Sequence, residues 1–153
     1  GPRQSARAVI PTIISKIINK SDHIKLGALT PTRDFNFVED ICAAFHAIGE
    51  SKNTIGKAIN ACSKFEISIE ETANIIKNIM NSDLAIICEE ERLRPKNSEV
   101  NRLFGDNTLL KELTEWVPKY AGKNGFEKGL KKTIKWFTEN KNIFSNKNKE
   151  YII

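Results

Sequence analysis

The chain has 153 residues, 40% of them hydrophobic, with a formal charge of +5, a composition that suits one domain with its own core and excludes compositional disorder. No apolar run approaches the roughly 20 residues of a membrane-spanning helix, so a cytoplasmic protein without a membrane partner is expected. The basic balance suits a polyanion, and nucleic acid, a membrane surface and a phosphorylated metabolite would all meet it.

The start, Gly1-Pro2-Arg3, has neither the layout of a signal peptide nor an initiator Met, and the chain is expected to begin inside a longer protein. Ile10, Ile13, Ile14, Ile17 and Ile18 recur at helical spacing with Pro11 in the first turn, which predicts an amphipathic helix whose stripe is core. A short strand is expected over 23–26, ended by Gly27, then a loop over 28–32 and a second strand over 33–38. Glu39 and Asp40 favour a helix N-terminus, and Ile41, Ala44, Phe45 and Ile48 give that helix one apolar face before Gly49.

Further along, 57–62 carries Ala58, Ile59, Ala61 and Cys62 around Asn60, which reads as a strand buried on both faces, the kind found in parallel sheets. Ser68-Ile69-Glu70-Glu71 has the form of a capping box, predicting a helix over 68–80. A strand is expected over 84–88 and a short helix at Leu109, Leu110 and Leu113. Phe126, Leu130, Ile134 and Phe137 mark the stripe of a last helix, and 140–153 reads as a frayed tail. Cys42, Cys62 and Cys88 are three, in apolar stretches and without zinc or redox spacing, and are expected as buried free thiols. Alternating strands and helices argue an α/β class, with too few strands for a complete doubly wound sheet.

The sequence has no G-x-G-x-x-G turn, so a dinucleotide pyrophosphate has no cradle here. A nucleophile elbow is also absent, and His23 and His46 lie far apart with no triad or metal spacing. No catalytic, cofactor-binding or metal-ligating residue is assigned. Arg33, between a Pro-containing loop and an apolar strand, and Arg94, in Arg92-Leu93-Arg94-Pro95, are placed where a forked donor could reach a phosphate. From spacing alone each reads more readily as a solvated surface charge.

Thr32-Arg33-Asp34-Phe35-Asn36-Phe37-Val38-Glu39-Asp40, Asn60-Ala61-Cys62-Ser63, Arg94-Pro95, Ser98-Glu99-Val100, Gly105-Asp106 and Trp116-Val117-Pro118 occur in the order of the extended short-chain dehydrogenases that act on nucleotide sugars. The chain resembles that family over essentially its whole length. Within the family it is most similar to the N-acetylglucosamine 4,6-dehydratases of legionaminic acid biosynthesis and to GDP-mannose 4,6-dehydratases. Ala61-Cys62 stands where many relatives have Ile-Gly.

The resemblance implies a C-terminal portion: the end of a Rossmann-like sheet plus the small α/β substrate-binding domain, with the N-terminal cofactor-binding part absent. Over 1–153 the chain would mostly bind substrate, with about 36–63 returning to the Rossmann-like sheet. The complete enzyme would use NAD or NADP, which this piece would not bind, and would be a homodimer. Its reaction would be 4,6-dehydration of a GDP- or UDP-N-acetylglucosamine type substrate, or 4-epimerisation. The partners are then a nucleotide-diphosphate sugar and the N-terminal Rossmann domain.

On this reading Arg33 and Arg94 grip the diphosphate, and each truncation costs about 1.5 to 3 kcal/mol as a lost charged hydrogen bond. Glu99 would accept the paired N1–H and N2–H of guanine, and is equally readable as a surface carboxylate paired with Arg102 or Lys96. Asn60 and Ser68 are further substrate-binding candidates, although a strand-end polar group and a capping serine also explain them. Two readings from other classes compete. Lys123, Lys128, Lys131, Lys132 and Lys135 near Trp136 and Phe137 could form a nucleic-acid module, but the lysines fall off the apolar stripe as on any solvated helix, and no nucleic-acid partner is expected. A non-enzymatic assembly surface is the other.

Overall fold

The computed structural model describes residues 1–5, 7–89 and 100–141. They form two compact units, one of Gly1–Pro31, Ser68–Asn101 and Leu130–Ile153, the other of Thr32–Ile67 and Arg102–Gly129. The class is α/β, as the alternation of elements predicts.

In the first unit, α1 (Val9–Ile18) buries Ile10, Ile13 and Ile14 and packs on β1 (His23–Leu26) and on α3 (Ile69–Ile79). Pro11 lies in the first turn of α1, where its missing N–H would have had no helical acceptor. The four residues of β1 pair in parallel with β4 (Ala85–Cys88), from His23 opposite Ala85 to Leu26 opposite Cys88. Glu89 N–H extends the ladder to the Leu26 carbonyl at 2.8 Å, and Lys25 meets the Glu89 carboxylate at 2.6 Å.

Capping places α3. Ser68 Oγ accepts from Glu71 N–H while the Glu71 carboxylate accepts from Ser68 N–H, the reciprocal box the sequence predicts. The preceding two donors are taken as well, Ile69 N–H by the Pro31 carbonyl at 3.1 Å and Glu70 N–H by the Leu29 carbonyl at 3.0 Å. The amide donors of the first turn are thereby satisfied inside the unit.

In the second unit, β2 (Thr32–Asp34) is the middle strand of a three-stranded sheet, between β3 (Glu66–Ser68) and β5 (Arg102–Leu103). It runs parallel to β5, with Thr32 opposite Arg102 and Arg33 opposite Leu103. Beside the sheet, α2 (Val38–Glu50) and α4 (Thr108–Leu113) supply Ala44 and Leu110 to a cluster with Trp116, against which Ala47, Ile48, Ile59 and Ala61 pack. The last helix, α5 (Gly122–Glu139), runs through both units. In the second unit its Gly125 and Gly129 allow close approach: a Cβ at Gly125 would lie 2.4 Å from the Tyr120 backbone, and one at Gly129 2.9 Å from the Phe37 ring.

Four expectations need correction. Segment 57–62 forms no strand: Ile59 and Ala61 pack against the cluster of Ala44, Leu110 and Trp116 while Ala58 and Asn60 are exposed, so the cluster covers one side of the segment and solvent the other. The strand expected over 33–38 stops at Asp34, because Phe37 is already the N-cap of α2. The helix that follows continues through Gly49 to Glu50. Of the three cysteines only Cys62 is buried; Cys42 and Cys88 are exposed. The tail expected over 140–153 lies outside the described residues from 142 onward. Among the described residues no helix is long and apolar enough to cross a membrane.

Candidate functional site

The strand β2 sets out three polar side chains in succession, and two carboxylates brace it. At its start, the Thr32 hydroxyl donates to Glu66 of β3. Glu66 also receives Arg102 of β5 as a fork, with Nε at 2.8 and 3.0 Å from its two oxygens and Nη2 at 2.8 Å. That guanidinium, together with the Thr32 hydroxyl, holds the Glu66 carboxyl below the usual carboxylate range, and Arg102 is raised in return. One carboxylate thus ties all three strands together at one end.

At the other end of β2 the carboxylate of Asp34 is an acceptor for four donors. Its Oδ1 takes the N–H of Ser63 at 3.1 Å and the Ser63 hydroxyl at 2.5 Å. Its Oδ2 takes the N–H groups of Lys64 at 3.0 Å and Gly105 at 3.3 Å. Lys64 adopts a left-handed φ of 57° there, unfavourable for a lysine and held by these bonds. Gly105 is equally constrained, since a Cβ would come 2.6 Å from Cβ and Sγ of Cys62. Burial pushes the Cys62 thiol up, and the charge of Asp34 adds to the rise. A buried thiol so disposed is a poor nucleophile.

Between the two braces lies Arg33, half-buried, with Nη1 donating to the Thr32 carbonyl at 2.7 Å. Asn60 is exposed in the same unit, three residues before Ser63. Ser68 belongs to the first unit, where its hydroxyl accepts from Glu71 N–H and donates to the Glu71 carboxylate at 2.8 Å. Arg94 and Glu99 lie outside the described residues. Of the residues singled out from sequence, Arg33 and Asn60 therefore share a unit, and Ser68 is engaged with its own helix.

Sequence reasoning missed the residues that hold this region: Asp34, Glu66, Arg102 and Asp40. Asp40, 4% exposed, turns its carboxylate to the N–H groups of Lys119 and Tyr120, both at 2.8 Å, while its carbonyl accepts Trp116 Nε1 at 3.0 Å. Neighbouring Glu39 accepts the Tyr120 hydroxyl at 2.7 Å. The available signals were the Thr32-to-Asp40 stretch of the resemblance, which contains Asp34 and Asp40 but gave neither a role, and the paired acidic residues after Val38, which pointed to the helix end instead.

Elsewhere in the unit an open groove of about 810 Å³ runs past His46, Glu50, Trp116 and Lys119. His46 is exposed and paired with Glu50 at 3.0 Å. Among the described residues no three His, Cys, Asp or Glu side chains gather to hold a metal ion. The carboxylates on β2 and β3 are saturated with donors, which suits them to bracing and not to proton transfer. Arg33 is the group in this arrangement with the chemistry to take an anion.

The sequence profile of a family described as GDP-mannose 4,6 dehydratase matches residues 1–133. The chain is 34% identical over 137 residues to a UDP-N-acetyl-alpha-D-glucosaminuronate decarboxylase of Bacillus cytotoxicus, covering 88% of this chain and 41% of that protein. Its fold matches the epimerase Mth375 of Methanothermobacter thermautotrophicus with a TM-score of 0.82 and 28% identity, over 94% of this chain and 41% of the other. It also matches a UDP-N-acetylglucosamine 4-epimerase of Methanobrevibacter ruminantium, solved in complex with UDP-N-acetylmuramic acid, with a TM-score of 0.74 and 28% identity, over 91% of this chain and 43% of that one. The chain thus spans about two fifths of the length of these relatives.

Proposed function

The chain belongs to the GDP-mannose 4,6 dehydratase family, and from that premise we propose that it is the C-terminal, substrate-binding portion of an NAD(P)-dependent nucleotide-sugar 4,6-dehydratase of the GDP- or UDP-N-acetylglucosamine type. The observation that carries this reading is the family match across residues 1–133 of a chain that spans 41% of its decarboxylase relative. The complete enzyme is a lyase whose cofactor part lies upstream. It works in the cytoplasm as a homodimer.

In such an enzyme NAD or NADP would supply the hydride chemistry. The residues present do not fit its pyrophosphate: α1, α2, α3 and α4 follow Ala8, Phe37, Ser68 and Asn107, none at the end of a glycine-rich turn, and α5, which opens on Gly122 and carries Gly125 in its first turn, has Gly125 packed against the Tyr120 backbone. The amide donors that open α3 are also already satisfied by Pro31, Leu29 and Ser68. This chain's part in the chemistry is therefore confined to the substrate. Arg33 and Arg94 bind the diphosphate, and that remote binding energy orients the sugar for reaction. Asn60 adds a polar contact, and Ser68 is a lesser candidate because its hydroxyl serves the capping box. Glu99 reads the base, accepting two adjacent N–H groups of guanine where uracil offers one.

A second reading, 4-epimerisation, is favoured by the two epimerase structures at 28% identity. Mass spectrometry of the complete enzyme's product separates the two. Incubated with NAD(P)+ and either UDP-N-acetylglucosamine or its GDP counterpart, a dehydratase yields a product lighter by one water. An epimerase yields an isomer of unchanged mass, told from unreacted substrate by its chromatographic retention and by the proton NMR couplings at C4. If neither substrate changes, both readings fail. Preference for the uridine substrate, or a guanine preference that survives Glu99→Gln, removes the assignment of Glu99.

A further inference from the structure

Two observations on β2 do not follow from binding a diphosphate at Arg33. The strand has three residues and lies between two strands as short, β3 of three residues and β5 of two, brief ladders that leave much of the fixing of its side chains to other contacts. Yet the residue next to Arg33 gathers four donors from two distant stretches, at the cost of a left-handed lysine and an obligatory glycine. Strain held in this way marks a position whose geometry matters.

Resting on the reading of Arg33 as a diphosphate ligand, we propose that Asp34 is the positioning residue for Arg33, fixing the strand from which that guanidinium reaches the substrate. Successive side chains leave opposite faces of a strand. Asp34 can therefore anchor β2 to the Ser63–Lys64 turn and to Gly105 without occupying the face of Arg33. The Thr32–Glu66–Arg102 brace secures the other side of the same residue. Arg33 is thereby flanked on both sides by neighbours whose side chains are tied down, which limits how far the strand can tilt when an anion binds.

The replacement Asp34→Asn breaks half of the clasp. The amide oxygen still accepts from Ser63, but the amide NH2 is set against the N–H groups of Lys64 and Gly105, donor against donor. The experiment measures calorimetric binding of UDP and GDP to the complete enzyme for Asp34→Asn, Arg33→Ala and the double variant, with NAD(P)H binding as the readout of intact folding. Asp34→Asn is expected to weaken the tighter of the two nucleotides about tenfold, but less than about twofold when Arg33 is already Ala, because residues acting through one another are not additive. NAD(P)H binding should stay within about twofold throughout, since a local loss of positioning does not reach the cofactor.

If Arg33→Ala weakens the nucleotide while Asp34→Asn does not, or the two effects add, the positioning role is wrong and the diphosphate reading stands. If Arg33→Ala leaves UDP and GDP binding unchanged, the diphosphate reading itself falls and the positioning role with it. Should Asp34→Asn lose NAD(P)H binding through misfolding, Ser63→Ala carries the same comparison, since it removes a single donor from Asp34. A weakening of about threefold that vanishes in the Arg33→Ala background supports the proposal, and additivity there overturns it.

Discussion

At Asp106 the Thr108 hydroxyl, the Thr108 N–H and the Lys64 ammonium hold the carboxyl at about 2, below its ordinary 3.8. A carboxyl whose folded value is depressed adds stability above its unfolded value and loses it as pH falls through the folded one. Asp106→Asn should therefore lower thermal stability modestly in the neutral range, where the charged carboxylate contributes, and flatten the acid limb between about pH 4 and about 2, the two proteins converging below that window; a melt series from neutral pH down through it checks this. The cysteines make a second test, since Cys42 and Cys88 are exposed while Cys62 is buried with its thiol pushed up. A thiol reagent should modify Cys42 and Cys88 in the native chain and reach Cys62 only on denaturation. Neither result was legible in sequence. All three cysteines sit in apolar stretches, and although Thr108 is two residues from Asp106, Lys64 lies 42 residues from it along the chain.

Among the elements, β1, α3 and α5 could be read because their signals are local: a short apolar run closed by Gly27, a capping box, and a stripe of Phe126, Leu130, Ile134 and Phe137. By contrast, β3 and β5 have three and two residues, too few for alternation to register. Segment 57–62 shows the limit of composition, because a run of small apolar residues does not say whether a sheet or a helix will cover it. Asp40 was read as an acid for the helix dipole, and its carboxylate instead holds the 119–120 backbone. Ser68→Ala should cost about 1 kcal/mol through loss of the cap and lower the melting temperature by about 2–4 °C, with Ser68→Asp restoring most of it. If Ser68 acts chiefly on the ligand, nucleotide affinity will fall while the melt stays put.

At the scale of the molecule, the 153-residue chain lacks a glycine-rich pyrophosphate turn. Purified alone, it is expected to turn over no nucleotide sugar and to bind NAD(P)+ negligibly; detectable turnover, or NAD(P)H fluorescence enhancement on mixing, would contradict this. The class and the family were legible because the Arg33 to Asp40 stretch and the Trp116-Val117-Pro118 stretch stay together in sequence. The division into units was not, because the chain passes from one unit to the other at 31/32, 67/68, 101/102 and 129/130. That interleaving bears on synthesis. A ribosome emits the chain from one end, and domains ordinarily fold as they emerge. Here the second unit waits for Gly129 and the first for the half of α5 that follows it. Each unit must therefore wait for a segment made long after its first, and no cut at a single position would separate the two units.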